Sequence, residues 1–126
     1  ALFDNYTNFR HSPSAGYAIE IVRKPNPTTY TRHGGGYVAS GSAGADKLPQ
    51  PYLPAGMKIT KNEGAGEVQT PLIYTGKEKL SLGDPVFMRH SKAGELCERF
   101  DKLLLVSQGK VVEVVNTYRG DGKCFL

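Results

Sequence analysis

Residues 102–115 read Lys102-Leu-Leu-Leu-Val-Ser-Gln-Gly-Lys-Val-Val-Glu-Val-Val115. Two runs rich in β-branched and aliphatic residues flank the four residues Ser107 to Lys110, which include a glycine. This pattern predicts a β-hairpin. Since the hairpin combines the densest β-branched run with the tightest turn, we expect it to be the most protected element of a small β-barrel.

The rest of the chain also favours short strands. It has 126 residues, of which 39% are hydrophobic, with 15 glycines and 8 prolines but no tryptophan. Alternation in Tyr17 to Val22 predicts a strand with Tyr17, Ile19 and Ile21 on one side. We predict further strands at 28–32, 57–60, 67–74 and 86–88, a long irregular loop over 41–56 and a short helical segment near 91–100. The predicted fold is all-β or mainly β, with residues 1–126 as a single small β-barrel domain.

Charge and cysteine content give no specific function. The net charge is +4 and the pI about 9.1, but the basic residues are scattered among twelve acidic ones. We therefore expect ordinary solubility, with neither nucleic acid nor a membrane as a partner. A disulfide between Cys97 and Cys124 is one alternative, and a reduced cytoplasmic protein is the simpler expectation. The start at Ala1, with neither Met nor a leader, suggests a fragment boundary with chain preceding it.

Three clusters place unusual demands on the backbone. Gly34–Gly36, followed by Tyr37 and Ser40, would present backbone amides and hydroxyl groups to an anion, or would simply form a turn beside a core tyrosine. The second cluster, 63–70, surrounds a glycine pair with two acids and an amide, or is a solvated turn that enters a strand.

The third cluster, 90–99, brings a possible base and a thiol into ten residues. His90 and Cys97 would bind a metal or carry nucleophilic chemistry, while a hydrogen-bonded structural histidine is the alternative for His90. In one unbroken helix the two residues would be about 10 Å apart. Sharing a metal ion therefore requires a bend, and Gly94 is the natural place for it.

Four stretches together resemble a known family: His33-Gly-Gly-Gly-Tyr-Val-Ala-Ser-Gly41, Gly64-Ala-Gly-Glu-Val-Gln-Thr-Pro71, Arg89-His-Ser-Lys-Ala-Gly-Glu-Leu-Cys-Glu-Arg-Phe100 and Thr117-Tyr-Arg-Gly-Asp-Gly-Lys-Cys-Phe-Leu126. They are similar to the carboxyl-terminal third of amino acid deaminase/aldolase proteins, which resemble D-serine dehydratase and D-threonine aldolase. The resemblance spans nearly the whole chain in order.

This resemblance implies a role in a larger enzyme. In that group, which is related to alanine racemase, an amino-terminal (β/α)8 barrel binds pyridoxal phosphate through a lysine Schiff base. A carboxyl-terminal β-domain packs near the mouth of the active site, and a homodimer completes the site. The resemblance implies that this chain is such a β-domain, without the cofactor-binding barrel, of a lyase that acts on a D-amino acid or a 3-hydroxy amino acid. Alone it should be inactive.

The resemblance also implies roles for individual residues. His90 matches a metal-binding histidine of the group, but Lys92 stands where a Cys or Asp ligand is expected. His90, Lys92 and Tyr37 are the implied catalytic residues, and the implied substrate-binding residues are Ser40, Glu67 and Gln69. For a divalent metal such as zinc, His90 and Cys97 are the candidate ligands. The alternative function is a non-enzymatic basic β-barrel that binds nucleic acid or peptide.

Overall fold

The computed structural model describes residues 1–42 and 44–123, and strands predominate among them. In chain order the strands are β1 (Tyr17–Arg23), β2 (Thr29–His33), β3 (Gln50–Leu53), β4 (Met57–Ile59), β5 (Gln69–Tyr74), β6 (Pro85–Arg89), β7 (Lys102–Ser107) and β8 (Lys110–Asn116). Helix α1 (Ala93–Arg99) joins β6 to β7. Short 3₁₀ turns cover Leu2–Asn5 and Ala45–Lys47.

Six of the strands form one antiparallel sheet in the order β3-β6-β1-β2-β5-β4. The edge strands β3 and β4 are consecutive in the chain and lie close together, so the sheet curls into a nearly closed barrel. The predicted mainly-β barrel and its short helical segment are thereby confirmed.

The core lies inside this barrel and follows from strand alternation. On β1, Tyr17 and Ile21 are buried and Ile19 is half-buried, whereas Ala18 and Glu20 between them face outward. The predicted side of this strand is therefore correct. Buried side chains from the other elements complete the core: Tyr30, Met57, Leu72, Tyr74, Leu80, Val86, Met88 and Leu96.

The segment 41–56 is more regular than predicted. It contains a 3₁₀ turn and strand β3, whose Pro51 pairs with Met88 of β6. Prolines argue against a central strand because they lack a ladder donor, but an edge strand needs donors on one side only. The position of β3 at the sheet edge explains why the prediction of an irregular loop was wrong.

The hairpin β7-β8 forms as predicted but lies outside the barrel. The two strands make a separate two-stranded sheet. Leu103, near its base, packs against the core, whereas Leu104 is 61% exposed and Val114 is 53% exposed. The expectation that this hairpin belongs to the barrel was wrong, since its consecutive aliphatic residues promote pairing without specifying which face is buried.

Candidate functional site around the Gly34–Gly36 loop

A glycine loop at the end of β2 organises the candidate site. Gly34 and Gly35 have φ angles of 58° and 71°, which favour glycine because other residues are strained there. The Gly34 amide donates to the Val68 carbonyl oxygen at 2.7 Å, and the Gly36 amide donates to the Gly66 carbonyl oxygen at 2.9 Å. Two loop amides are therefore satisfied by the second predicted cluster.

Thr70 reinforces this junction from strand β5. Its buried hydroxyl group donates to the Gly34 carbonyl oxygen at 3.0 Å and accepts a hydrogen bond from the Gly66 amide at 3.0 Å. Of the implied substrate-binding residues nearby, Glu67 is exposed, and the Gln69 side-chain amide donates to Glu63 Oε1 at 2.7 Å. β5 begins at Gln69, later than predicted, because residues 66–68 bind the glycine loop.

The third predicted cluster meets the other end of the glycine-rich stretch. Lys92 Nζ donates to the Ser40 carbonyl oxygen at 2.8 Å. The Ser40 amide donates in turn to Glu95 Oε1 at 3.0 Å. Two side chains therefore hold Ser40: Lys92, which directly precedes helix α1, and Glu95, which lies within it. Lys92 thus lies beside an implied substrate-binding residue.

Tyr37 lies in an aromatic group between these two junctions. Its ring centroid is 4.8 Å from that of Tyr17 and 5.9 Å from that of Phe100. The Arg99 guanidinium lies 5.0 Å from the Tyr37 ring centroid, a cation–π arrangement. The Tyr17 hydroxyl group donates to the Gly35 carbonyl oxygen at 2.6 Å, so the aromatic group also contacts the loop.

Arg32 is a member of the site that the sequence analysis missed. Its side chain is fully buried, and its guanidinium lies 5.8 Å from the Tyr17 ring centroid. Arg32 Nη2 donates to the Gly35 carbonyl oxygen at 2.9 Å. Strand alternation could have predicted that Arg32 points into the core, because residues two apart on a strand share a face and Tyr30 is a core residue.

Burial and charge change the acid–base properties of this group. Burial raises the pKa of Tyr17 to about 12, although the neighbouring Arg32 acts in the opposite direction. Burial is also the main cause that lowers the pKa of the Arg32 guanidinium. Tyr17 is therefore a neutral phenol at physiological pH.

His90 and Cys97 lie on either side of the start of α1. The extended residue before the helix is Lys92, with φ −115° and ψ 145°, and Gly94 lies inside the helix. The predicted bend at Gly94 was therefore wrong. His90 Nδ1 is buried without a hydrogen-bond partner among the described residues, and burial is the first cause that lowers its pKa.

A metal ion would require more ligands than this part of the chain offers. Within residues 1–42 and 44–123, no three side chains of His, Cys, Asp or Glu lie close enough to hold one together. Zinc sites use three or four protein ligands. His90 and Cys97 do not make a zinc site by themselves, and their shared metal stays a prediction. Cys97 is a free thiol, and Cys124 lies outside the described residues.

The second predicted cluster thus contacts Gly34 and Gly36, and the third contacts Ser40, whose carbonyl oxygen accepts from Lys92 Nζ. Glu67 lies within the loop-binding segment 66–68, and Gln69 directly follows it. The fourth stretch of the resemblance, in its described part 117–123, packs back on the end of α1, where the Thr117 hydroxyl group donates to the Phe100 carbonyl oxygen at 2.7 Å.

No helix in the described parts of the chain has the length and apolar character required to cross a membrane. Comparisons with protein-family models, with curated proteins and with solved structures gave no match.

Proposed function

We propose that this chain is the carboxyl-terminal β-domain of a pyridoxal-phosphate-dependent amino acid lyase, an aldolase or deaminase of the D-serine dehydratase-like group. One observation carries the proposal: of the separate stretches on which the resemblance rests, the second contacts Gly34 and Gly36 and the third contacts Ser40, so both meet the first. Clustered loop residues on a rigid scaffold are the usual setting of a binding or catalytic site, and residues that border one active site would be arranged in this way.

The proposed role of the domain is to border the substrate side of the active site. Lys92 contributes a positive charge beside the Ser40 backbone, and Tyr37 contributes a phenol ring next to Arg99. A lysine ammonium and a tyrosine hydroxyl group are donors that an amino acid carboxylate or side-chain hydroxyl group accepts. His90 remains the candidate acid, base or metal ligand.

The cofactor, when bound, would supply the stabilisation of a carbanion next to the amino group. By the resemblance, its lysine and its phosphate site belong to the barrel domain. This chain's residues would orient the substrate and position a proton donor or acceptor beside it, and the isolated chain would be inactive.

The exposed aliphatic face of the hairpin β7-β8 is a second argument that another domain packs against this chain. Leu104, Val106, Val111 and Val114 form two cross-strand pairs on one face of the hairpin, and each is more than half exposed. A contiguous apolar face of this kind is typical of a surface that another domain or protein covers. The proposal assigns it to the cofactor-binding barrel.

The test compares the isolated chain with the complete gene product that contains it. We expect D-serine or D-threonine turnover only in the complete protein, and borohydride should trap pyridoxal phosphate on a single lysine outside these 126 residues. A stoichiometric adduct on a unique lysine of the isolated chain would overturn the proposal.

A variant pair tests the role of Lys92 in the complete protein. Lys92→Met should lower kcat/KM by about tenfold or more without changing the cofactor content, since it removes one charged contact to the substrate. Lys58→Met, which changes an exposed lysine on β4, should leave turnover unchanged. Equal effects of the two substitutions would contradict the assigned role.

A nucleic-acid or peptide module is the second candidate, and exposed aromatic rings favour it. Tyr52 on β3 and Phe87 on β6 are 47% and 46% exposed. Rings on strand faces can stack with bases. A titration with single-stranded DNA at increasing salt tests this candidate: binding that weakens steeply supports it, and no binding at low salt rejects nucleic acid as the ligand.

A further inference from the structure

Arg32 lies at one end of the barrel interior. On the core face of β2 it is paired across the sheet with Ile21 of β1 and Thr70 of β5. The Gly34–Gly36 loop covers it so closely that a β-carbon at Gly35 would overlap the guanidinium. Its relative exposure is 0%.

The guanidinium uses few of its hydrogen-bond donors. Five N–H groups are present, and Nη2 donates to the Gly35 carbonyl oxygen at 2.9 Å. Nε and Nη1 are buried and have no partner among the described residues. Unpaired buried charge is costly because it has lost its hydration, so these donors indicate a missing acceptor.

No carboxylate of the described chain supplies that acceptor. The three ion pairs found in residues 1–42 and 44–123 involve neither Arg32 nor Arg99, although both guanidinium groups flank the rings of Tyr17 and Tyr37. Tyr17 is neutral at physiological pH and contributes no negative charge. The group Arg32, Tyr17, Tyr37 and Arg99 therefore carries two positive charges and no counter-ion within itself.

We propose that Arg32 is the recognition residue of a carboxylate-binding site, and that the ligand displaces the Gly35 carbonyl oxygen. That oxygen now accepts from both Arg32 Nη2 and the Tyr17 hydroxyl group. A carboxylate offers two oxygens to the same donors and adds a full negative charge, and paired N–H bonds from one guanidinium match its planar geometry.

The loop is suited to this exchange. Gly35 carries no side chain that would have to leave the core when its carbonyl group moves. The two ends of the loop stay anchored, because the Gly34 amide donates to the Val68 carbonyl oxygen and the Gly36 amide donates to the Gly66 carbonyl oxygen. A monovalent carboxylate balances the single buried guanidinium, whereas a phosphate dianion would bring an excess negative charge into an apolar interior.

The carboxylate has two possible sources, a free small molecule such as an amino acid, or an acidic side chain of a neighbouring domain. Arg32 and the loop would form this carboxylate site whether or not pyridoxal phosphate is bound elsewhere in the protein. Acetate is the probe for the shared chemistry. Acetamide has the same shape without the charge and is the matched control.

The experiment follows the arginine Nε–Hε signals of the ¹⁵N-labelled chain by NMR at constant ionic strength. We expect acetate to shift the Arg32 signal saturably and acetamide to leave it in place. Arg32→Lys identifies the signal by removing it, and Arg119→Lys, which changes an exposed arginine, should retain the response. Absence of a saturable acetate shift, or an equal shift with acetamide, overturns the proposal.

A second variant keeps the test decisive if Arg32→Lys does not fold. Tyr17→Phe removes one of the two hydrogen bonds that hold the Gly35 carbonyl oxygen. The same hydroxyl group would donate to the bound carboxylate, and a hydrogen bond to a charged acceptor is stronger than one to a neutral carbonyl group, so acetate should bind about fivefold more weakly. Unchanged or tighter binding by this variant contradicts the proposed exchange.

The complete gene product distinguishes the two sources. If its Arg32 signal still responds to acetate, the site takes a free carboxylate, and D-serine should then compete with acetate. If the response is present in the isolated chain and absent in the complete protein, an acidic side chain of the neighbouring domain fills the site.

Discussion

Tyr17 and Arg32 donate to one acceptor, the Gly35 carbonyl oxygen, at 2.6 and 2.9 Å. Burial raises the pKa of Tyr17 from 10.0 to about 12. Between these pH values the unfolded chain has lost the phenol proton and the folded chain retains it. The contribution of the Tyr17 phenol to the free energy of unfolding is therefore fully present below pH 10, and it is lost as the pH rises toward 12.

This pH effect should disappear in Tyr17→Phe. We expect wild type to lose about 2 kcal/mol more unfolding free energy than the variant between pH 10 and pH 12, measured by urea denaturation. Tyrosinate absorbance gives an independent measurement, because the last of the seven tyrosines to ionise in the wild-type protein should be missing in the variant. Parallel pH profiles of the two proteins would refute the assignment to Tyr17.

The substitutions Gly35→Ala and Gly94→Ala should have opposite effects on the free energy of unfolding. Gly35→Ala places a β-carbon against Arg32 and Ile19 at a positive φ and should lower the unfolding free energy by about 1–3 kcal/mol. At Gly94, inside α1, nothing lies within 4 Å of such a carbon, so alanine should stabilise by about 0.5 kcal/mol. Urea denaturation measures both, and a stabilising Gly35→Ala would contradict the close packing of the loop.

Val114 and Val86 are both strand valines, one exposed and one buried, so the same substitution can be compared at the two positions. Val114→Thr on the exposed hairpin face should change stability by less than about 0.5 kcal/mol and reduce binding of the dye ANS. Val86 is fully buried, so Val86→Thr should destabilise by about 1–3 kcal/mol through an unpaired hydroxyl group. Comparable losses of stability in both variants would show that the hairpin face is covered in the isolated chain.

Zinc on His90 and Cys97 stays a prediction, and elemental analysis of the complete gene product tests it. With further ligands supplied from outside the described residues, one zinc ion should be bound per chain. His90→Ala and Cys97→Ser should each lose the metal, whereas Ser91→Ala should keep it. Retention of zinc by both ligand variants would reject the site.

Local patterns predicted the elements of this fold better than their assembly. The alternation of Tyr17, Ile19 and Ile21 fixed the inner side of β1 because a half-buried strand has a period of two residues. The hairpin, in contrast, has aliphatic residues on both faces. Its pattern therefore could not indicate whether the pair of strands joins the barrel.

The candidate site was predicted in part for similar reasons. Glycine clusters mark places of close backbone approach, so the loop and its neighbours could be found from sequence. Arg32 was missed because arginine is rarely fully buried, and its burial depends on the curl of the sheet around it. The bend at Lys92 was also missed, since Gly94 is the weaker helix former of the two.

The register of the hairpin has a consequence for self-association. Leu105 pairs with Glu113 and Val106 pairs with Val111, so Val112 is an extra residue that bulges from β8. An unpaired, flat aliphatic edge would template the addition of strands from other molecules. The bulge interrupts that template in the middle of β8, and Lys102 and Lys110 place charges near its two ends. The hairpin thus exposes an apolar face while the bulge and the two lysines oppose the growth of its edge into fibrils.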